Sequence, residues 1–174
     1  IELIQKMNGQ LSDMAVRDQL TGLYNRQGFE KNMQEWGREK GPNKVIIYID
    51  LDNFKYYNDN FGHELGDYVK NIGYAVRYGG DEFVIVLNER DVQFGKKVVQ
   101  SIFDKLENEV LASIQEKIGK QHVIPEEKRL TASVGIAECK ESGAIAEALS
   151  NADKALYSVK KSTKNNFIVW GEMN

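Results

Sequence analysis

Two carboxylate-bearing stretches stand out in this sequence. Asp50 and Asp52 close the apolar run Val45-Ile46-Ile47-Tyr48-Ile49, and Asp81 and Glu82 follow a glycine pair in Tyr78-Gly79-Gly80-Asp81-Glu82-Phe83. Ending a buried strand on carboxylates costs desolvation unless a cation or a set of donors meets them. Positions two apart on a strand share a face, so Asp50 and Asp52 point the same way. With one Cys and two His in the whole chain, an oxygen-rich site of this kind favours Mg²⁺ or Mn²⁺ over Zn²⁺. The plainer reading of Asp50 and Asp52 is a solvated strand end that caps the next segment, and that of the hairpin is a polar turn. Two glycines also let the backbone turn tightly and let a bulky ligand approach it. In combination, a carboxylate hairpin beside a strand ending in Asp50 can build a divalent-metal site from two neighbouring strands. Such a site activates a hydroxyl and holds a triphosphate in nucleotidyl transfer. Lys55 and the cluster Lys160, Lys161 and Lys164 would neutralise phosphate charge beside that metal, although each alone reads as a solvated surface lysine.

The elements that must position these residues follow from periodicity. Val45 to Ile49 is β-branched and bounded by turn signals, which predicts a buried central strand. Ala75 to Tyr78 and Phe83 to Leu87 flank the two glycines as the strands of a hairpin. Ile1, Ile4, Leu11, Met14 and Ala15 lie on one stripe of a helix. That stripe either packs on its own domain or ends a coiled-coil connector from an upstream module. Helices are also expected over Arg26 to Lys40, Phe54 to Asn60 and Glu64 to Tyr74, with Gly62 as a break between the last two. Phe94 to Ile118 places an apolar residue at every fourth position, one long amphipathic helix. Leu130 to Ala137 alternates as a strand, Ala144 to Lys161 is helical, and Phe167 to Trp170 is a closing strand. This order predicts an α+β fold with helices on a mostly antiparallel central sheet.

The whole-chain arithmetic narrows the function. The 174 residues are 41% hydrophobic and 28% charged, which suits one ordinary domain and excludes collagen, disorder and a small disulfide scaffold. The 23 basic and 26 acidic side chains give a net charge of −3. No nucleic-acid partner is advertised, so any phosphate binding is local. Cys139 is alone and forms no internal disulfide, which fits a reducing compartment. The longest apolar run falls far below the roughly 18 residues of a membrane span. The chain opens at Ile1 in mid-pattern, which reads as a piece of a longer protein.

Four motifs in order carry a resemblance. Asp18-x-Leu20-Thr21-Gly22-Leu23-x-Asn25-Arg26 comes first, and Asp50-x-Asp52-x-Phe54-Lys55-x-x-Asn58-Asp59-x-x-Gly62-His63-x-x-Gly66-Asp67 second. Arg77-Tyr78-Gly79-Gly80-Asp81-Glu82-Phe83 and Ala152-Asp153-x-Ala155-Leu156-Tyr157 complete the set. Together they resemble the bacterial GGDEF domain, the diguanylate cyclase family, over about Asp18 to Trp170. The resemblance implies residues 1–16 as a signalling helix and 17–174 as the catalytic domain, on a ferredoxin-like core similar to the palm of polymerases and nucleotidyl cyclases. It implies condensation of two GTP into cyclic di-GMP with release of two pyrophosphates, in a homodimer whose subunits each bring one GTP. A catalytically silent domain that binds GTP or cyclic di-GMP is the alternative, and an enzyme of altered base choice is a third reading.

By motif position, Asp50, Asp81 and the carbonyl of Leu51 would hold Mg²⁺ or Mn²⁺, two ions per active site. Glu82 would add a metal contact or help deprotonate the 3′ hydroxyl, a role left open between Asp81 and Glu82. Lys55 would stabilise the pentavalent phosphorus, and Lys160 and Lys164 would contact the outer phosphates. Asn58 and Asp67 would read the guanine edge, where a carboxylate accepts from both N1 and N2 protons. His63 would lie near the substrate or only cap a helix. The resemblance also implies an upstream sensory domain and a cytoplasmic site of action.

Three departures from the family pattern are visible. Lys164 stands where the family has Arg, which keeps the charge but loses the bidentate fork. Lys70 and Gly73 occupy the positions of the Arg-x-x-Asp that serves product inhibition in the family. Only nine residues, Tyr68 to Val76, separate Asp67 from Arg77, roughly half the family spacing. A helix and the start of a strand are not expected to fit there, so a segment near Lys70 to Ala75 is expected to be missing.

Overall fold

The computed structural model describes residues 1–38, 41–140 and 145–172, and the side chains of residues 58–61 are outside that description. The central strand is β2 (Lys44–Asp52), which is buried on both faces until its last residue. It pairs antiparallel with β4 (Glu82–Asn88) on one side and with β5 (Thr131–Cys139) on the other. β3 (Tyr74–Arg77) joins β4 antiparallel, so the expected hairpin forms. The two-residue β1 (Tyr24–Asn25) and the closing β6 (Phe167–Val169) add parallel edges. The sheet order is β1-β3-β4-β2-β5-β6. The mostly antiparallel α+β architecture expected from the sequence is therefore present.

Strand alternation divides the core in two. Val45, Ile47, Ile49 and Leu51 face one cluster with Phe54, Leu65, Ile102 and Leu106. Ile46 and Tyr48 face the other, with Phe29 of α2 (Arg26–Trp36) and Ala152 and Leu156 of α6 (Ile145–Lys161). α6 lies directly on β5, because a Cβ on Gly135 would meet the Ala152 carbonyl oxygen at 1.9 Å. α2 stops at Trp36; Lys40, its expected end, lies outside the described residues, as does Ala144.

The helix α3 (Phe54–Lys70) corrects the expected break at Gly62, running through it without interruption. An interior glycine costs a helix about 1 kcal/mol relative to alanine, and close packing is the reason it is here. A Cβ at Gly62 would lie 2.7 Å from Leu20 Cγ, and one at Gly66 would lie 2.0 Å from the Thr21 carbonyl oxygen. The two glycines, four apart on one helical face, seat α3 on the turn that carries Leu20 and buried Thr21. Across the nine residues after Asp67, α3 ends at Lys70 and β3 begins at Tyr74, joined by a turn in which Ile72 N–H donates to the Val69 carbonyl at 3.1 Å.

The expected helix over Phe94 to Ile118 is present in three parts, α4 (Val92–Asp104), a π-helical stretch Lys105–Val110 and α5 (Leu111–Ile118). An apolar repeat of four advances about 40° per step beyond a 3.6-residue turn, so the stripe winds away from the sheet. The wider π turn absorbs that drift and keeps Leu106 and Val110 buried, while Ile118 at the end is 42% exposed.

α1 (Glu2–Val16) buries no residue. Ile4, Met7, Leu11 and Met14 are 52–62% exposed, so the reading in which this stripe packs on its own domain does not hold among the described residues. Only its last turn is attached, where the Asn25 side-chain amide donates to the Ala15 carbonyl at 2.8 Å. Among the described residues no helix is long and apolar enough to cross a membrane.

Candidate active site

The β2–β4 register sets Asp50 opposite Glu82, and the β2–β5 register sets it opposite Ser133. The turn between β3 and β4 is closed by Tyr78 and Gly79 N–H groups, which donate to the Glu82 carbonyl at 2.8 and 3.2 Å. Its far side is held to β2 by the Leu51 N–H, which donates to the Asp81 carbonyl at 2.9 Å. Asp50, Asp81 and Glu82 are thereby brought to one corner of the sheet, with Leu51 buried beneath them. Asp52 turns to β5, where it accepts from Thr131 Oγ1 at 2.7 Å.

The hairpin tip is clamped from outside. Arg77 Nε and Nη2 donate to the Gly80 carbonyl at 3.2 and 2.9 Å. Arg77 Nη1 donates to Asp18 Oδ1 at 3.1 Å, in an ion pair whose side chains are only 17% and 20% exposed. Asp18 in turn accepts from the N–H and hydroxyl of Thr21 at 2.9 and 2.7 Å. This links the Leu20-Thr21 turn under α3 to the glycine pair. In the sequence, Asp18 and Arg77 are motif letters with no role of their own. An Asp three residues before a Thr, which is a local capping pattern, was the available signal.

Charge is unbalanced at the centre. Lys160, in the last turn of α6, donates to Asp50 Oδ2. Burial raises the Asp50 carboxyl above its usual range; Lys160 pulls it down, and Asp52 and Asp81 push it further up. Burial lowers the Lys160 ammonium, but Asp50 outweighs it and the net shift is upward. One lysine therefore does not neutralise the carboxylates facing it. Two buried polar side-chain atoms among the described residues lack a partner, and both stand here: Asp81 Oδ1 and Ser133 Oγ. An orphaned carboxylate oxygen beside an under-neutralised carboxylate is a donor set for a hard cation. Among the described residues no group of three or more His, Cys, Asp or Glu side chains gathers in that way, so the fit rests on two carboxylates and backbone oxygen.

The remaining candidates divide. Lys55, exposed in the first turn of α3, reaches the hairpin: its Cε would lie 3.8 Å from a Cβ on Gly80. Lys164 is exposed just past α6 at φ 49°, with its N–H donating to the Val159 carbonyl at 3.0 Å. Lys161 instead lies 4.6 Å from the Tyr157 ring centroid. His63 and Asp67 are exposed on α3. Asp67 lines a groove of about 460 Å³ between α3 and the α4–α5 helix, floored by Leu65, Ile102 and Leu106. That groove does not include Asp50, Asp81 or Glu82. The Asn58 side chain lies outside the described residues.

Tyr48 joins the site without any motif to mark it: its hydroxyl donates to Glu82 Oε2 at 3.2 Å. Burial foremost, then the charges of Glu82 and Asp153, push its phenol far upward, so it stays protonated. Its signal was a tyrosine inside an aliphatic strand, where a buried hydroxyl must find a partner.

A family model described as "Diguanylate cyclase, GGDEF domain" matches residues 15–166. Diguanylate cyclase VdcA of Vibrio cholerae is 28% identical over 93% of this chain and 50% of its own length. Cyclic di-GMP phosphodiesterase PdeR of Escherichia coli is 30% identical over 92% of this chain and 25% of its own. The crystal structure of the GGDEF domain of DgcB from Caulobacter crescentus in complex with c-di-GMP aligns at TM-score 0.57. It has 26% identity, and the alignment covers 89% of this chain and 93% of that one. The chain spans about half or less of the curated relatives' length.

Proposed function

Because this chain belongs to the GGDEF family of diguanylate cyclases, we propose that it condenses two GTP into cyclic di-GMP and releases two pyrophosphates. The observation that carries the proposal is the pair of unpartnered buried atoms, Asp81 Oδ1 and Ser133 Oγ, beside an Asp50 that one lysine does not neutralise. Asp50 and Asp81, with the Leu51 carbonyl, would hold Mg²⁺ or Mn²⁺. Such an ion supplies charge neutralisation and acidifies a coordinated hydroxyl.

The protein's own groups supply the rest. Lys55 at the hairpin and Lys160 at Asp50 offset phosphate charge where it develops. Lys164 adds a point charge for the outer phosphates without a bidentate fork. The Arg77–Asp18 clamp fixes the Gly80 carbonyl, and with it the glycine pair over which the nucleotide lies. Glu82 accepts the 3′ proton or completes the metal shell, and Asp67 with Asn58 selects guanine. Each domain carries one GTP, so ring closure needs two domains face to face. The exposed stripe Ile4, Met7, Leu11 and Met14, spaced by three and four, supports a homodimer in which α1 pairs with a second copy. α1 would in turn connect to an upstream sensory domain.

The test is to dimerise the chain through a coiled-coil fused ahead of α1, supply Mg²⁺ with labelled GTP or ATP, and identify the products. Cyclic di-GMP from GTP and nothing from ATP is expected, and Asp81→Asn lowers the rate about 100-fold or more. Absence of any cyclic dinucleotide leaves the GTP- or cyclic di-GMP-binding domain as the correct reading. An unchanged rate in Asp81→Asn refutes the metal assignment.

A further inference from the structure

Tyr48 lies in the middle of β2, 4% exposed, where the neighbouring residues are aliphatic. Its register partners are Val84 on β4 and Gly135 on β5, one pleat behind the pair Asp50 and Glu82 on the same face. The ring meets Tyr78 edge-on, with centroids 5.6 Å apart and planes at 71°. Tyr78 is held by Phe29 at 6.1 Å and by the Arg26 guanidinium, 4.5 Å over its ring. The phenol is therefore gripped by packing, and among the described residues its hydroxyl donates to Glu82 Oε2 at 3.2 Å. The other side of that oxygen is bounded by Gly79, where a Cβ would come within 2.8 Å of it.

We infer that Tyr48 is a positioning residue for Glu82: its hydroxyl anchors one carboxylate oxygen and leaves the other turned to the reacting 3′ hydroxyl or metal. The inference rests on the cyclase reading for what Glu82 then does, but the contact stands by itself. A glutamate at a hairpin tip has several rotamers within reach, and holding it in one removes that cost from the transition state. The donor comes from β2 in the core rather than from the hairpin that carries Glu82.

The test compares the full chain with Tyr48→Phe, Glu82→Gln and the double variant. Tyr48→Phe keeps the ring and its packing, so the fold is retained. Its kcat is expected to fall about ten-fold, the worth of a hydrogen bond to a charged group, with KM for GTP unchanged. In the Glu82→Gln background the same substitution is expected to change kcat less than about two-fold. Equal losses in both backgrounds, or no loss in either, overturn the inference. A second readout needs no turnover: the carboxyl ¹³C resonance of Glu82, assigned by its disappearance in Glu82→Gln. It is expected to move in Tyr48→Phe, and an unmoved resonance overturns the contact. A resonance that moves in Tyr48→Phe, together with a wild-type chain that never makes product, refutes the cyclase reading and upholds Tyr48 as the anchor of Glu82.

Discussion

Asp81→Asn should stabilise the metal-free protein while removing most of its response to metal. Asp81 Oδ1 is buried and unpartnered, and a buried polar atom without a hydrogen bond costs about 1–3 kcal/mol, more when it is charged. Replacing the carboxylate by a neutral amide keeps the shape and the Asp81 carbonyl that accepts from Leu51, but removes the charge. About 1 kcal/mol should be recovered, which for a domain of this size raises Tm by about 2–4 °C. The wild type should behave oppositely on adding Mn²⁺ with a nonhydrolysable GTP analogue. At about 100 times Kd the ligand contributes about 2.7 kcal/mol, a rise of about 5–11 °C. The variant should lose most of that increment. Differential scanning fluorimetry of both proteins, with and without Mn²⁺ and analogue, reads all four states. If the metal-free variant melts below the wild type, the buried oxygen is not a stored cost. If the variant keeps the full increment, Asp81 does not hold the ion.

Arg77→Leu removes the ion pair to Asp18 and both bonds to the Gly80 carbonyl; a loss of about 3 kcal/mol should lower Tm by about 6–12 °C, and a shift under about 2 °C would show the clamp to be ornamental. Gly66→Ala drives a Cβ onto the Thr21 carbonyl and should cost about 3 kcal/mol or more in urea unfolding, whereas Gly9→Ala, with nothing within 4 Å, should leave stability unchanged or slightly higher. The Asp50 carboxyl is raised by burial above its ordinary value of 3.8, so its contribution is full below that value and is lost as pH rises through the raised one. Metal-free Asp50→Asn should therefore gain Tm relative to wild type as pH rises from about 4 toward neutral; a gap that is flat or shrinks with pH contradicts the sign.

Elements whose burial follows from their own side chains were legible in the sequence. β2 is buried on both faces and reads as a continuous apolar run; the hairpin is marked by two glycines between short apolar strands. Elements shaped by a distant partner were not. Gly62 looks like a helix stop because intrinsic propensity says so, and only Leu20, forty-two residues upstream, explains why α3 needs it. The π turn at Lys105–Val110 was present in the pattern all along, since an apolar residue every fourth position cannot stay on one face of an ideal α-helix. The short β1 lacks any periodic signal: it exists because Arg77 and Val76 of β3 offer it an edge.

The site divides by the same physics. Residues proposed to meet a ligand belong to a few chemical types at the ends of elements, so Asp50, Asp81, Glu82, Lys55 and Lys160 stand out by type and spacing. Residues that hold those groups in place are constrained only by reach. Asp18 is fifty-nine positions from Arg77, and Tyr48 is thirty-four from Glu82; neither separation is a motif. Both nevertheless act on the same hairpin, Arg77 from outside through the Gly80 carbonyl and Tyr48 from the core through the Glu82 carboxylate. A hairpin rich in glycine has little stiffness of its own. Its carboxylates can be aimed only if supports from other elements supply that stiffness, so substitutions at Arg77 and Tyr48 should act on the proposed activity through orientation while leaving every proposed ligand-contacting residue intact.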